Sequence, residues 1–270
     1  MTRLIGLLAT AAIAALTAIP AAAARQDVQT PTGVHAITWI ENRAAIEQWL
    51  REAPIQKSES IPVGVTQPTR VYFAGDGPAA SAAWKPLAPG RYKGFWESYK
   101  SEIAAYELDK LLELNMVPPT VERTVRGERG AMVMWVNGVT AWQPRMTVHA
   151  PDPVAWSRQL SRMRLFDWLV ANIDRNAGNI LLDGDYHLVL IDHSRAFTST
   201  TDLTRMAPPT RIDVGVWERM LALTMPDLEA RLGKWVGRGE LRAMLRRRDR
   251  MQVAIDTMVR ERGEASVLIR

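Results

Sequence analysis

Cysteine is absent from the 270 residues, so disulfides, iron–sulfur clusters and thiolate zinc sites are excluded. Histidine is scarce: His35, His149, His187 and His193 are the full set, and none stands in an H-E-x-x-H spacing, which argues against a zinc enzyme. No G-x-G-x-x-G occurs anywhere in the chain. Charge of one sign is nearly balanced by the other, with 34 Lys and Arg against 29 Asp and Glu and a net charge of +5. An excess that small does not point to specific nucleic-acid binding. What is present is ordinary globular composition, 47% hydrophobic and 23% charged, which excludes a disordered, collagenous or multi-span membrane chain. The length suits one large domain or two lobes.

The first 24 residues stand apart. Arg3 precedes an uninterrupted apolar stretch over 4–19, then Pro20 and alanines, with Ala22 and Ala24 placed as in an A-x-A cleavage site. This is the pattern of an export signal cleaved near Ala24, giving a periplasmic or extracellular protein. The competing reading is an uncleaved membrane anchor.

Beyond it the texture changes along the chain. Helical spacing over 35–52 predicts an N-terminal helical extension, assigned with its flanks to 25–58. Short apolar runs around the turn at 75–78 predict antiparallel strands over 59–86. A helix is expected over 97–115, with Ala104, Leu108, Leu111 and Leu112 on one stripe and Pro118-Pro119 as its stop. A hairpin follows, 120–125 with 131–136. Past Asn137 the pattern is mostly helical, at 153–171, 214–224, 226–236 and 240–262, interrupted by one hairpin that turns at 183–185. The expected fold class is α+β, with a small antiparallel-sheet lobe over 59–137 and a larger, mainly helical lobe over 138–270. Most of the tryptophans, among them Trp39, Trp49, Trp84, Trp135, Trp168 and Trp217, lie in apolar patterns and are expected in the core.

One constellation carries chemistry. Asp174-Arg175-Asn176-Ala177-Gly178-Asn179 follows a helix and leads into the hairpin that ends at Leu190-Ile191-Asp192. Phosphoryl transfer needs a carboxylate to orient the nucleophile, and an amide oxygen plus a second carboxylate to hold Mg²⁺ on the phosphates. The spacing from Asp174 to Asn179 matches the Asp and Asn of a kinase catalytic loop, and the hairpin returns Asp192 towards Asn179. Upstream, Lys85 ends an apolar strand and Glu102 lies on the next helix, in the order of the strand lysine and helix glutamate that hold nucleotide phosphates. Glu107 is the alternative to Glu102. Backbone groups at Met134 and Val136 are candidates to bond an adenine edge, and Thr66 and Gln67 to approach the nucleotide from a loop. Singly, each motif is an ordinary turn or surface residue; it is the set that gives them meaning.

These motifs resemble the atypical kinases of the protein-kinase-like superfamily: the phosphoinositide 3/4-kinases, the HipA-type kinases and the secretory-pathway kinases related to four-jointed. The D-R-x-x-x-N loop and the apolar hairpin leading to I-D-F-G in phosphoinositide kinases are similar to Asp174–Asn179 and Ile191-Asp192-His193-Ser194. Bacterial phosphatidylinositol 4-kinase-like proteins are similar across Trp84-Lys85-Pro86, residues 102–106 and residues 116–120. The resemblance covers roughly 59–197. It implies a two-lobed kinase-like fold and ATP with Mg²⁺ (or Mn²⁺) as cofactors. It also implies Lys85 on phosphate, Glu102 orienting it, Asp174 as catalytic residue, and Asn179 and Asp192 as metal ligands. His193 and Ser194 depart from the Phe and Gly of I-D-F-G, which puts the flexibility of that segment in question.

The expectation is therefore an exported phosphotransferase acting on a hydroxyl acceptor of unknown class, with 198–211 as the segment for acceptor contacts. The alternatives are a nucleotide-binding pseudokinase and a basic interaction module. Arg238, Arg242, Arg246, Arg247, Arg248 and Arg250 offer an anionic partner surface, or else a solvated helix face paired in part with Glu240 and Asp249.

Overall fold

The computed structural model describes residues 36–61, 68–142, 148–202, 204, 206 and 208–270. The expected signal segment and the loop bearing Thr66 and Gln67 lie outside them.

Ile46 and Leu50, one turn apart, are the buried residues of α1 (Arg43–Glu52). With Trp39 they pack on one face of a five-stranded sheet, against Val71, Phe73 and Met132. The helix is shorter than the helical spacing over 35–52 suggests, because the chain from Ala36 to Asn42 turns to bury Trp39 instead of continuing the spiral. The sheet contains β1 (Ile55–Ser60), β2 (Thr69–Phe73), β3 (Ser81–Lys85), β6 (Thr120–Val125) and β7 (Glu128–Met134) in the order β1-β2-β3-β7-β6, every neighbour antiparallel. Between β3 and the next helix stands a separate hairpin, β4 (Gly90–Tyr92) with β5 (Phe95–Glu97). It was not legible as strands.

Side chains alternate across β3, so Ala83 and Lys85 share a face with Val133 and Ala131, their partners on β7. On this face lies α2 (Tyr99–Leu112), whose Tyr99 and Ile103 pack on Ala131 and Val133. Ser98 caps the helix by accepting from the Lys100 N–H. Its other end is set before the prolines: Glu113 is left-handed at φ 52°, and the buried Asp109 accepts from the Met116 and Val117 N–H groups at 2.8 and 3.0 Å. That side chain, rather than Pro118-Pro119, turns the chain back into β6.

In the second lobe β8 (Val139–Ala141), β9 (Ile180–Asp183) and β10 (Leu188–Leu190) form an antiparallel sheet in the order β10-β9-β8. It packs into one large core with α3 (Pro153–Val170), α4 (Val214–Ala222), α5 (Met225–Leu232) and α6 (Arg238–Arg262). The short β11 (Ile212–Asp213) pairs in parallel with the C-terminal β12 (Leu268–Ile269). Trp39, Trp84, Trp142, Trp168 and Trp217 are buried, whereas Trp96 on β5 is 47% exposed. The protein is thus α+β and two-lobed. No helix among the described residues is long and apolar enough to cross a membrane.

Candidate active site

Lys85, Glu102 and Asp192 meet between the lobes. Lys85 Nζ lies 2.7 Å from Glu102 Oε1 and 3.0 Å from Asp192 Oδ1. Burial by itself would lower the Lys85 pKa, but the two carboxylates outweigh it and hold the ammonium above the ordinary lysine range. Burial would likewise raise Glu102; the Lys85 charge and His193 instead hold it well below the usual carboxylate range. Glu107 faces elsewhere, pairing with Lys110 at 2.9 Å and Arg231 at 3.5 Å.

The second Glu102 oxygen accepts from the His193 backbone N–H at 3.0 Å, tying α2 to the segment after Asp192. Asp192 itself is left-handed, φ 59°, so the positive-φ residue here is the aspartate and not the one at the glycine position of I-D-F-G. His193 fills a closed site in the second lobe, edge-on to Phe166 with ring centroids 5.8 Å apart. Its Nε2 lies 2.9 Å from Arg175 Nη2. A guanidinium can only donate, so Nε2 accepts and the ring proton sits on Nδ1, the nitrogen 3.8 Å from Glu102. Burial lowers the His193 pKa and keeps the ring neutral.

Arg175 is the hub of the loop over 174–179. It is paired with the buried Asp167 of α3 at 2.8 Å, and its Nη1 donates to the carbonyls of Asn179 and Ile191 at 2.9 and 2.8 Å. The Ile191 N–H in turn donates to Asn179 O, so the β9–β10 register sets Asn179 beside the residue preceding Asp192. Asn179 Nδ2 donates to Asp174 O at 3.2 Å, leaving its Oδ1 without a partner among the described residues. One free amide oxygen and one partly exposed carboxylate make an oxygen-only donor set, which suits a hard divalent cation.

Asp174 is partly exposed, and its Oδ2 lies 3.1 Å from Arg195 Nη1. Arg195 is held from behind by the buried Glu97 at 2.8 Å and lies over the Phe95 ring, 4.4 Å from its centroid. Sequence reasoning did not find Arg195 or Glu97, which are 98 residues apart and belong to no motif. Of the two adenine-edge candidates, Met134 spends its N–H on Pro119 O at 2.8 Å. Val136 has no backbone partner among the described residues.

Asp183, Asp185 and His187 also lie close enough together to suggest a metal site. Both Asp183 oxygens are already occupied, one by the Asp185 and His187 N–H groups and the other by Ala36 N and the His187 ring. The cluster builds the β9–β10 turn.

The description "phosphatidylinositol 3- and 4-kinase" belongs to the family model that matches residues 28–258, most of the chain. This chain belongs to the phosphatidylinositol 3- and 4-kinase family. As a member it is a kinase, with the two-lobed kinase-like fold. Solved structures agree on the fold. A Golgi casein kinase crystallised with Mn/ADP bound superposes with a TM-score of 0.67 at 14% identity, covering 84% of this chain and 78% of that one. Hydra Fam20 with sugar gives 0.65 at 16% identity, covering 83% and 91%. No curated protein matches the chain.

Proposed function

We propose that this family member transfers the γ-phosphoryl group of ATP, as its Mg²⁺ complex, to a hydroxyl acceptor outside the cytoplasm. The observation that carries the proposal is the Lys85–Glu102–Asp192 junction: a lysine held between a helix carboxylate and a carboxylate fit for a metal. Lys85 would bind phosphate oxygens, with Glu102 fixing its position. Asn179 and Asp192 would hold Mg²⁺ or Mn²⁺, which neutralises charge on the transferring group. Asp174 would orient the acceptor hydroxyl and take its proton, and the Val136 backbone would bond the adenine edge. Thr66 and Gln67 are proposed on the nucleotide from sequence order alone. Export rests on the basic, apolar and small-residue pattern of the first 24 residues.

The test is transfer of labelled phosphate from ATP to lipid and protein extracts by the wild type and by Asp174→Ala. We expect incorporation that Asp174→Ala lowers by at least about a hundredfold, the scale of a lost general base. Incorporation surviving that substitution would remove Asp174 from its role, and nucleotide binding without any transfer would leave a binding protein.

A further inference from the structure

The β4–β5 hairpin is eight residues long, Gly90–Glu97, yet it carries three of the large apolar side chains exposed among the described residues: Tyr92 at 37%, Phe95 at 44% and Trp96 at 47%. Cations alternate with them. Arg91 pairs across the strands with Trp96, Tyr92 with Phe95, and Lys93 sits at the turn with φ 49° beside Gly94 at φ 88°. Each face of the hairpin therefore presents an exposed aromatic, and the tip presents a charge. The base is fixed: Tyr99 N–H donates to Leu87 O at 2.8 Å, and Ser98 N–H to Ser194 O at 2.9 Å, two residues from Asp192. The root carries Phe95 and Glu97, which hold Arg195 against Asp174. Ile173, next to Asp174 in sequence, is exposed as well.

An exposed hairpin of aromatic and cationic side chains has the composition of an interfacial anchor. Tyrosine and tryptophan favour the headgroup layer, and arginine and lysine favour an anionic leaflet. A groove on a protein would engage one face; a lipid interface receives both faces together. The charges around the hairpin agree with this. Lys93 and Lys100 have no ion-pair partner among the described residues, Glu97 is buried under Arg195, and Glu240 is the single carboxylate lining the adjoining cavity of about 570 Å³. Four arginines of α6 are less suited, being already engaged. Arg247 is buried on the carbonyls of Leu169, Thr198 and Thr200, Arg248 pairs with Asp249, Arg250 donates to Thr201 O, and Arg238 pairs with Glu229.

We propose that the hairpin Gly90–Glu97 docks this protein on an anionic lipid surface, bringing the Asp174 side of the cleft to acceptors held at that surface. Docking needs neither nucleotide nor transfer; only its consequence for the acceptor rests on the proposed activity.

The experiment is flotation of the full chain with phosphatidylcholine vesicles, with and without phosphatidylglycerol at a third of the lipid. Neutral vesicles report whatever the apolar N-terminal stretch contributes. We expect about tenfold or stronger partition onto the anionic vesicles, weakening as salt rises. Arg91→Gln/Lys93→Gln should abolish the preference, and Tyr92→Ser/Trp96→Ser should reduce anionic binding by a similar factor, with unchanged melting temperatures showing that both variants fold. Four results would each overturn the proposal: no anionic preference in the wild type, a preference that survives both double variants, one removed instead by Arg242→Gln/Arg246→Gln, or capture by polyglutamate in place of vesicles. Vesicle binding without phosphate transfer would count against the kinase reading alone, and transfer without vesicle binding against docking alone.

Discussion

At the scale of residues, Arg175 does more than complete a motif. Its guanidinium neutralises a carboxylate buried in α3, binds the carbonyls of Asn179 and Ile191, and sets the tautomer of His193. Both charges of the Arg175–Asp167 pair are nearly closed off, with side chains 9% and 6% exposed, so removing one partner strands the other. Arg175→Met should lower stability by about 3–5 kcal/mol, read from denaturant melts. Adding Asp167→Asn should recover part of that loss, and a double variant as unstable as the sum of both singles would contradict the assignment. His193 shows why the departure from I-D-F-G is tolerated. The imidazole occupies an enclosed slot against Phe166, as an aromatic side chain can, and adds an acceptor for Arg175 that a phenyl ring lacks.

At the scale of elements, the ends of α2 position the site. Its first turn carries Glu102 to Lys85, and its last turn depends on Asp109, one of whose oxygens accepts two N–H groups while the other has no partner among the described residues. Burial pushes the Asp109 carboxyl up from 3.8 to about 6, against the pull of those N–H groups. The folded chain therefore binds this proton more tightly than the unfolded chain between those two values. The contribution is fully present below pH 3.8 and is lost as pH rises through about 6, a change on the order of 3 kcal/mol. Glu102 and His193 shift the other way, so the clean readout is the difference between wild type and Asp109→Asn. The wild type should lose stability relative to the variant from pH 4 to pH 6 in parallel melts; a flat difference would mean Asp109 is ionised throughout. The elements also mark how far sequence could reach. Asp174 to Asn179 and the return to Asp192 were legible because a tight loop and a hairpin are fixed by local spacing. Lys85 and Glu102 were legible by their order on a strand and a helix. The β4–β5 hairpin was hidden, since Gly90-Arg91-Tyr92-Lys93-Gly94-Phe95-Trp96-Glu97 lacks a buried face and so has no alternation of burial to detect. Arg195 was hidden because its partners come from distant segments, and the burial of Arg247 because a helix spiral does not reveal which arginine faces the core.

At the scale of the whole molecule, two cores flank the line on which Lys85, Glu102 and Asp192 meet. One lies between α1 and the five-stranded sheet and takes in Val189 of β10; the other joins the apolar stripe of α2 to the helices of the second lobe. Across the line run Lys85 to Asp192, the Glu102 carboxylate to the His193 N–H, and Ser98 N–H to Ser194 O. Charge and hydrogen bonds join the halves at Lys85, Glu102 and Asp192, beside the apolar packing of α2 on the second lobe. A ligand that bridges Lys85 and the Asn179–Asp192 pair should therefore stabilise the entire fold by mass action. The measurement that tests this most directly is thermal unfolding of the full chain titrated with ATP, with and without Mg²⁺ or Mn²⁺, for the wild type and Asp192→Ala. The melting temperature should rise with ATP only when the metal is present, and the response should be lost in Asp192→Ala. No nucleotide-dependent rise in either metal, or an equal rise in the variant, would contradict it.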